Sequence, residues 1–364
     1  MSSSIQRLTD LRRLDSRVVT IASARNHLAV ADLVDESIGG LVLTGQGSAE
    51  AIHRLRLAGS RFPALVEPEN TKSATASADN PFGCVVEGGL FQRTLAELLA
   101  DQRLTGASAV MTPTGQIRAQ DSKTLKAVIT AANAIEDDDV VVMAPLAPQW
   151  LGDTHLQQLV AVLGTSVHPV AVCMCASDKN PLEATKATID GYKRLFRDVP
   201  NLIAYRTDLS GLGAIACGAT SAVIGLIPSH RRLAVVGQAS RASNPAVPTP
   251  HILIPELLRF TRVREMQTRW FVSTDPLTCD RPCCNGAGID RFDNSREDAV
   301  AALRHNQTAL SELASELLSL PLGQRLSWWA ARLRAAQAAH FELSQRIKQE
   351  VSPPADLRAW LRTL

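Results

Sequence analysis

Eight short apolar runs rich in β-branched residues recur before residue 230, with helical segments between them, and this alternation constrains the fold more than any other feature of the chain. The runs are Val18 to Ala22, Gly40 to Leu43, Pro63 to Val66, Ala107 to Met111, Val140 to Ala144, Pro169 to Cys173, Leu202 to Tyr205 and Ala222 to Leu226. Between them Ser48 to Ala58, Leu90 to Ala100, Ser122 to Ile135, His155 to Leu163 and Leu182 to Phe196 carry apolar residues three and four apart, the spacing of one helix face. Strands that are apolar throughout are buried on both faces, and eight of them predict a (β/α)8 TIM barrel rather than an open sheet. Aromatic residues make up only 4% of the chain, which disfavours an all-β sandwich.

After Arg232 the pattern changes to a Pro/Ser/Asn stretch from Gln238 to Pro250, apolar His251 to Phe260, a cysteine cluster, and two long helical patterns at Arg296 to Leu318 and Gln324 to Glu350. The expected division is a barrel over 1–250 and a zinc-binding, helical appendage packed on it over 251–364. Glu69 to Gly89, rich in Ser, Ala, Asn, Pro and Gly, is either a lid or a disordered insertion. No apolar run reaches the roughly 20 residues of a bilayer span, and the first residues lack the apolar core of a secretory signal. A cytoplasmic protein with no membrane partner is expected, its seven cysteines serving as thiols or metal ligands.

Three of those cysteines fall in Cys279-Asp-Arg-Pro-Cys283-Cys284-Asn-Gly, and His305 follows 21 residues after Cys284 within a helical pattern. Thiolates from one knuckle and an imidazole from the next helix suit a closed, structural tetrahedral zinc site. The alternative is that the cysteines are incidental and His305 is a surface residue. Adjacent side chains seldom reach one ion without a tight turn, so one of Cys283 and Cys284 is a candidate bystander. Cys173 and Cys175 read as buried thiols on one face of a strand.

A barrel followed by a Cys cluster, a Gly and a helix carrying His305-Asn306 resembles the tRNA-guanine transglycosylase family, whose barrel holds a zinc sub-domain with three Cys and one His. The family spacing is C-x-C-x2-C; Cys279 and Cys284 keep its five-residue span, but Arg281 stands at the middle position and Cys283 must replace it. The resemblance implies base exchange at an N-glycosidic bond, with one carboxylate as nucleophile and another as general acid or base. Glu67 in Leu65-Val66-Glu67-Pro68-Glu69-Asn70 matches the family's acid after the third strand, without its Gly-Gly. Aligning Pro228 with the proline of the nucleophile motif puts Ile224 where the family has its nucleophilic Asp. The Gly-rich guanine loops after the fifth and sixth strands are absent as well.

The strand ends, where barrel enzymes keep their chemistry, offer Asp208 as replacement nucleophile and Arg206, Asp178, His230 and Arg231 as substrate-binding groups. Alternation puts Arg206 and Asp208 on one side of a strand end, as a working acid held by a guanidinium or as a structural salt bridge. Eight arginines between 231 and 281 suit a tRNA or DNA backbone if they converge, in a chain whose net charge is only +2. The readings are therefore a transglycosylase-like enzyme using Asp208 and Glu67, a noncatalytic relative binding nucleic acid or a partner, and, behind both, a barrel lyase with a phosphorylated substrate using Lys179 or His230. Trp328, Trp329 and Trp360 are expected to supply the apolar area of a homodimer contact.

Overall fold

The computed structural model describes residues 14–83, 93–177, 180–183, 186–238 and 250–364. Eight parallel strands, β1 Arg17–Ser23, β2 Leu41–Thr44, β3 Ala64–Val66, β4 Val110–Met111, β5 Val140–Leu146, β6 Val170–Met174, β7 Leu202–Thr207 and β8 Ser221–Gly225, lie in the order β3-β2-β1-β8-β7-β6-β5-β4. The two ends of that order meet. The Ser108 N–H donates to the Ala64 carbonyl at 2.8 Å, and the Ser108 hydroxyl accepts from the Ala64 N–H at 3.2 Å. The sheet is thereby a nearly closed (β/α)8 barrel, as the eight apolar runs predict.

Side chains alternate across each strand. Val19, Ile21, Val42, Leu65, Met143, Ile203, Tyr205 and Val223 fill the lumen, together with the thiols of Cys173 and Cys175. Val18, Leu41, Leu43, Val142, Val172, Ala222 and Ile224 face the surrounding helices. Those helices are α1 Ser48–Leu57, α2 Leu95–Leu104, α3 Ser122–Asn133, α4 Asp153–Leu163, α5 Lys186–Asp198 and α6 Ser210–Cys217. A single helical turn, Leu28–Ala31, follows β1.

Among the described residues only a short 3-10 turn, Pro228–His230, stands between β8 and the next strand. The chain first forms the hairpin β9 His251–Ile254 and β10 Arg259–Arg262, then a small ribbon of β11 Thr278–Cys279 and β12 Ala287–Gly288. Helix α7, Arg296–Leu318, capped by Ser295, then returns to the barrel and buries Leu310, Leu313 and Leu317 against it. Thr20 on β1 donates to Gln307 at 2.9 Å. The last helix of the barrel layer is thus supplied from beyond residue 250.

Helices α8 Leu322–Ile347 and α9 Ala355–Leu361 close the structure. Their indoles, Trp329 and Trp360, meet edge to face at 5.8 Å over Gly213 of α6, and the Trp360 N–H donates to Ser210. Both are buried, so two of the three tryptophans expected at a homodimer contact are spent inside the chain, because the glycine face of α6 needs them to fill it. The described part of the 69–89 segment packs on the barrel: residues 74 and 76 exchange backbone hydrogen bonds with Gln116. Residues 84–89 of that segment lie outside the described residues. Among the described residues no helix is long and apolar enough to cross a membrane.

Candidate functional site

The knuckle between β11 and β12 brings all three cysteines together. A tight turn, in which Cys284 and Asn285 both donate to the Arg281 carbonyl and Asn285 and Gly286 take positive φ of 49° and 79°, points both adjacent thiols inward. His305 Nδ1 lies 3.2 Å from Cys284 Sγ, 3.7 Å from Cys279 Sγ and 3.9 Å from Cys283 Sγ, and the two adjacent sulfurs are 3.5 Å apart. An ion bonded tetrahedrally at about 2.3 Å to sulfur and about 2.0 Å to nitrogen has edges of about 3.5 to 3.8 Å, so this donor set fits one metal ion. Neither Cys283 nor Cys284 stands aside.

The surroundings fit as well. His305 Nε2 donates to the Leu253 carbonyl at 2.8 Å, which leaves Nδ1 as the lone pair facing the sulfurs. Asn306 accepts from the Leu253 N–H at 2.7 Å and donates to the carbonyls of His251 and Leu226. The pair His305-Asn306 therefore ties β9 and the end of β8 to α7. Arg281 donates to Cys279 Sγ and Arg291 to Cys284 Sγ, cations suited to offset thiolate charge. Burial raises the Cys279 and Cys284 thiols, a bias that a bound cation reverses by holding the deprotonated form.

The barrel mouth holds a second polar centre. Glu67, just past β3, is sealed from water and accepts from Thr44 at 2.5 Å, Tyr205 at 3.0 Å, Arg206 at 2.5 and 2.7 Å, and Lys72 at 2.7 Å. Burial alone raises a carboxyl, but the Arg206 and Lys72 cations outweigh it and hold Glu67 well below the usual carboxylate range. Tyr205 and Arg206 are consecutive yet reach the same carboxylate. A bulge explains this: pairing with β8 skips Arg206, whose φ is 49°, so two successive side chains turn inward.

That bulge corrects the expected pairing. Arg206 pairs with Glu67, not Asp208, and its remaining donors hold the carbonyls of Ser229 and Arg232. Arg206 is buried with all its guanidinium nitrogens engaged, and Glu67, its counter-ion, is closed off from water. His230 is buried too, with Nδ1 3.1 Å from the Ile21 carbonyl; burial and the nearby Arg206 push it down to about 4. Ile224 faces the helices, against Gly211.

Asp208 lies elsewhere, in a cleft of about 440 Å³ outside the ends of β6, β7 and β8, walled on its far side by β10 and by Ser352, Pro354 and Asp356 ahead of and within α9. Its Oδ1 accepts from the Ser210 N–H at 2.9 Å and its Oδ2 from Asn180. Arg231 also lines the cleft, its guanidinium 3.4 Å from the Phe260 ring centre and donating to the carbonyls of Gly225 and Leu226; burial lowers it to about 9. Asp356 was missed by sequence reasoning. Burial, Asp208 and Glu183 push its carboxyl up to about 8. Asp178 and Lys179 lie outside the described residues.

Of the arginines between 231 and 281, Arg231, Arg232 and Arg259 line this cleft. Arg259 pairs with Glu265, Arg281 with Glu312 and Glu256, and Arg231 is stacked on Phe260, while Arg262, Arg264 and Arg269 are exposed. Arg241 lies outside the described residues.

No protein-family model and no curated protein matches this chain. Among solved structures, a dihydrodipicolinate synthase from Thermotoga maritima aligns over 95% of this chain and 98% of its own, with 12% identity and a TM-score of 0.36.

Proposed function

We propose that the chain is a transglycosylase-like barrel protein acting on a nucleobase of tRNA or DNA by exchange at the N-glycosidic bond, with Asp208 as the reacting carboxylate. The observation that carries this reading is Asp208 itself: a carboxylate at the end of a barrel strand, oriented by Ser210 and Asn180, in a cleft that also presents Arg231 and Phe260. Arg232 and Arg259 line the same cleft and offer cations to a phosphate. Incubation of the protein with labelled guanine and either tRNA or duplex DNA tests it. Acid-stable label in one nucleic acid, lost in Asp208→Asn, supports base exchange; label in neither excludes it for guanine.

The metal of the Cys3His cluster is zinc in this reading, held by Cys279, Cys283, Cys284 and His305 with every donor supplied by the protein. When bound it stabilises the knuckle and performs no chemistry, since no coordination position is left for substrate. A noncatalytic, nucleic-acid-binding role is the second reading, favoured by Ile224 at the family's nucleophile position facing the helical layer. Binding of tRNA that weakens steeply with salt yet is unchanged in Asp208→Asn, without exchange, identifies that role.

A further inference from the structure

We propose that Asp356, brought to the barrel mouth by the C-terminal segment, is the proton-transfer partner of Asp208 in the cleft. The proposal deepens the base-exchange reading and rests on it for the reaction. Three observations carry it. Asp208 and Asp356 line the same cleft, one just past the end of β7 and the other in the first turn of α9. Glu67, the acid that strand order would nominate, is closed off by Arg206 and Lys72. Finally, α9 is anchored: Pro353 and Pro354 fix the approach of the chain, and Trp360 is buried against Gly213 and Ser210, two residues after Asp208.

The two carboxyl groups have unequal surroundings. Asp208 keeps two donors, Ser210 N–H and Asn180. Asp356 shares the cleft with Asp208 and Glu183 and with Arg231, Arg232 and Arg259, and burial, together with the two acids, pushes its carboxyl up to about 8. An oriented carboxylate and a carboxyl raised by burial in one cleft suit the separate roles of nucleophile and acid. In the first half-reaction an Asp208 oxygen bonds to the sugar C1′ as the C1′–N bond breaks, and the departing base takes its proton from Asp356. In the second, an incoming heterocyclic base gives its N–H proton to the Asp356 carboxylate, its nitrogen bonds to C1′, and the bond to Asp208 breaks. Both carboxyl groups return to their starting states.

Thermal unfolding across pH tests the pair without any substrate. A carboxyl raised in the folded state above its unfolded value of about 3.9 stabilises least at high pH: the advantage is full below about 4 and lost as pH rises through 8. Relative to Asp356→Asn, the native protein should therefore lose melting temperature between about pH 4 and 8 and run parallel above. Asp208→Asn removes the neighbouring charge and should move the end of that loss to lower pH. A difference between wild type and Asp356→Asn that does not vary with pH, or one that Asp208→Asn leaves in place, overturns the pair.

Guanine exchange into tRNA or DNA then tests its role. Asp356→Asn should lower kcat about 10²–10⁴-fold and abolish the alkaline limb of the pH profile, with KM for the nucleic acid unchanged. Exchange at the wild-type rate and profile in Asp356→Asn overturns the acid role while leaving the base-exchange reading intact. Absence of exchange in the wild type, with the coupled titration present, sinks the base-exchange reading and the acid role that depends on it but leaves the proton-sharing pair.

Discussion

Arg206 reaches Glu67 across the barrel mouth through two guanidinium nitrogens, Nε 2.5 Å from Oε1 and Nη2 2.7 Å from Oε2, with both side chains sealed from water. Removing one partner of such a pair strands a buried charge, a loss of about 3–5 kcal/mol, while replacing both with apolar groups of similar volume costs far less. Urea unfolding of Glu67→Gln, Arg206→Met and the double variant Glu67→Leu/Arg206→Met should therefore show two large single losses and a double loss well below their sum. A Glu67→Gln variant within about 0.5 kcal/mol of wild type contradicts a stabilising role for the pair. The folded carboxyl of Glu67 lies below its unfolded value, so its contribution is present above about pH 4.3 and is lost on acidification.

His230 sets a second pH dependence of known sign. Buried neutral, it titrates at about 4 in the folded chain against about 6.5 when unfolded, so stability is full above about pH 6.5 and declines as pH falls toward 4. The shift corresponds to roughly 3 kcal/mol over that window. His251, lowered to about 3 by burial and by Arg231, Arg262 and Arg259, acts in the same direction. Melting temperatures of wild type and His230→Asn from pH 7 to 4 should converge as the wild type loses its advantage. A constant gap means that His230 is protonated alike in both states.

The barrel was legible because strands that are apolar at every position report burial on both faces, and eight of them have few other arrangements. The Cys3His cluster was legible from spacing, and the turn needed to admit both adjacent cysteines is present at Asn285 and Gly286. The barrel mouth was not, for a local reason. Two-residue alternation placed Arg206 beside Asp208, and the bulge at Arg206 breaks that alternation at the one residue where it mattered. The partner it finds, Glu67, is 139 residues away, beyond any local pattern. Asp356 carried no signal of its own: it is one acid after two prolines that read as a helix stop, and only the burial of Leu357 and Trp360 gives its helix a docking face.

Metal removal should show that the knuckle is structural. The purified chain should hold one zinc ion, and Cys284→Ser should hold under a tenth of that by elemental analysis. Because His305 and Asn306 tie β9 to α7, loss of the ion should expose the β9 to β12 region to proteolysis while the β1 to β7 core stays resistant. Thiolate ligands compete with protons, so the ion should leave as pH falls. Full metal content in Cys284→Ser, or a chain without metal whose proteolysis pattern matches the loaded protein, contradicts the assignment.

Gly213 links the C-terminal helices to the barrel, and adding one methyl there should be felt at the cleft. A Cβ at this position would lie 2.6 Å from the Trp360 ring and 2.8 Å from the Trp329 indole nitrogen, two rigid groups that cannot yield cheaply. Overpacking of this kind costs about 1–3 kcal/mol, more than the helix-propensity gain of about 1 kcal/mol from Gly to Ala. Gly323→Ala, with nothing within 4 Å of its Cβ, is the matched control and should be neutral or slightly stabilising. Since Trp360 sets the position of α9, Gly213→Ala should also weaken the pH-dependent difference assigned to Asp356, because α9 moves away from Asp208. A Gly213→Ala protein that melts like wild type with the same pH profile shows that the indoles do not fix α9.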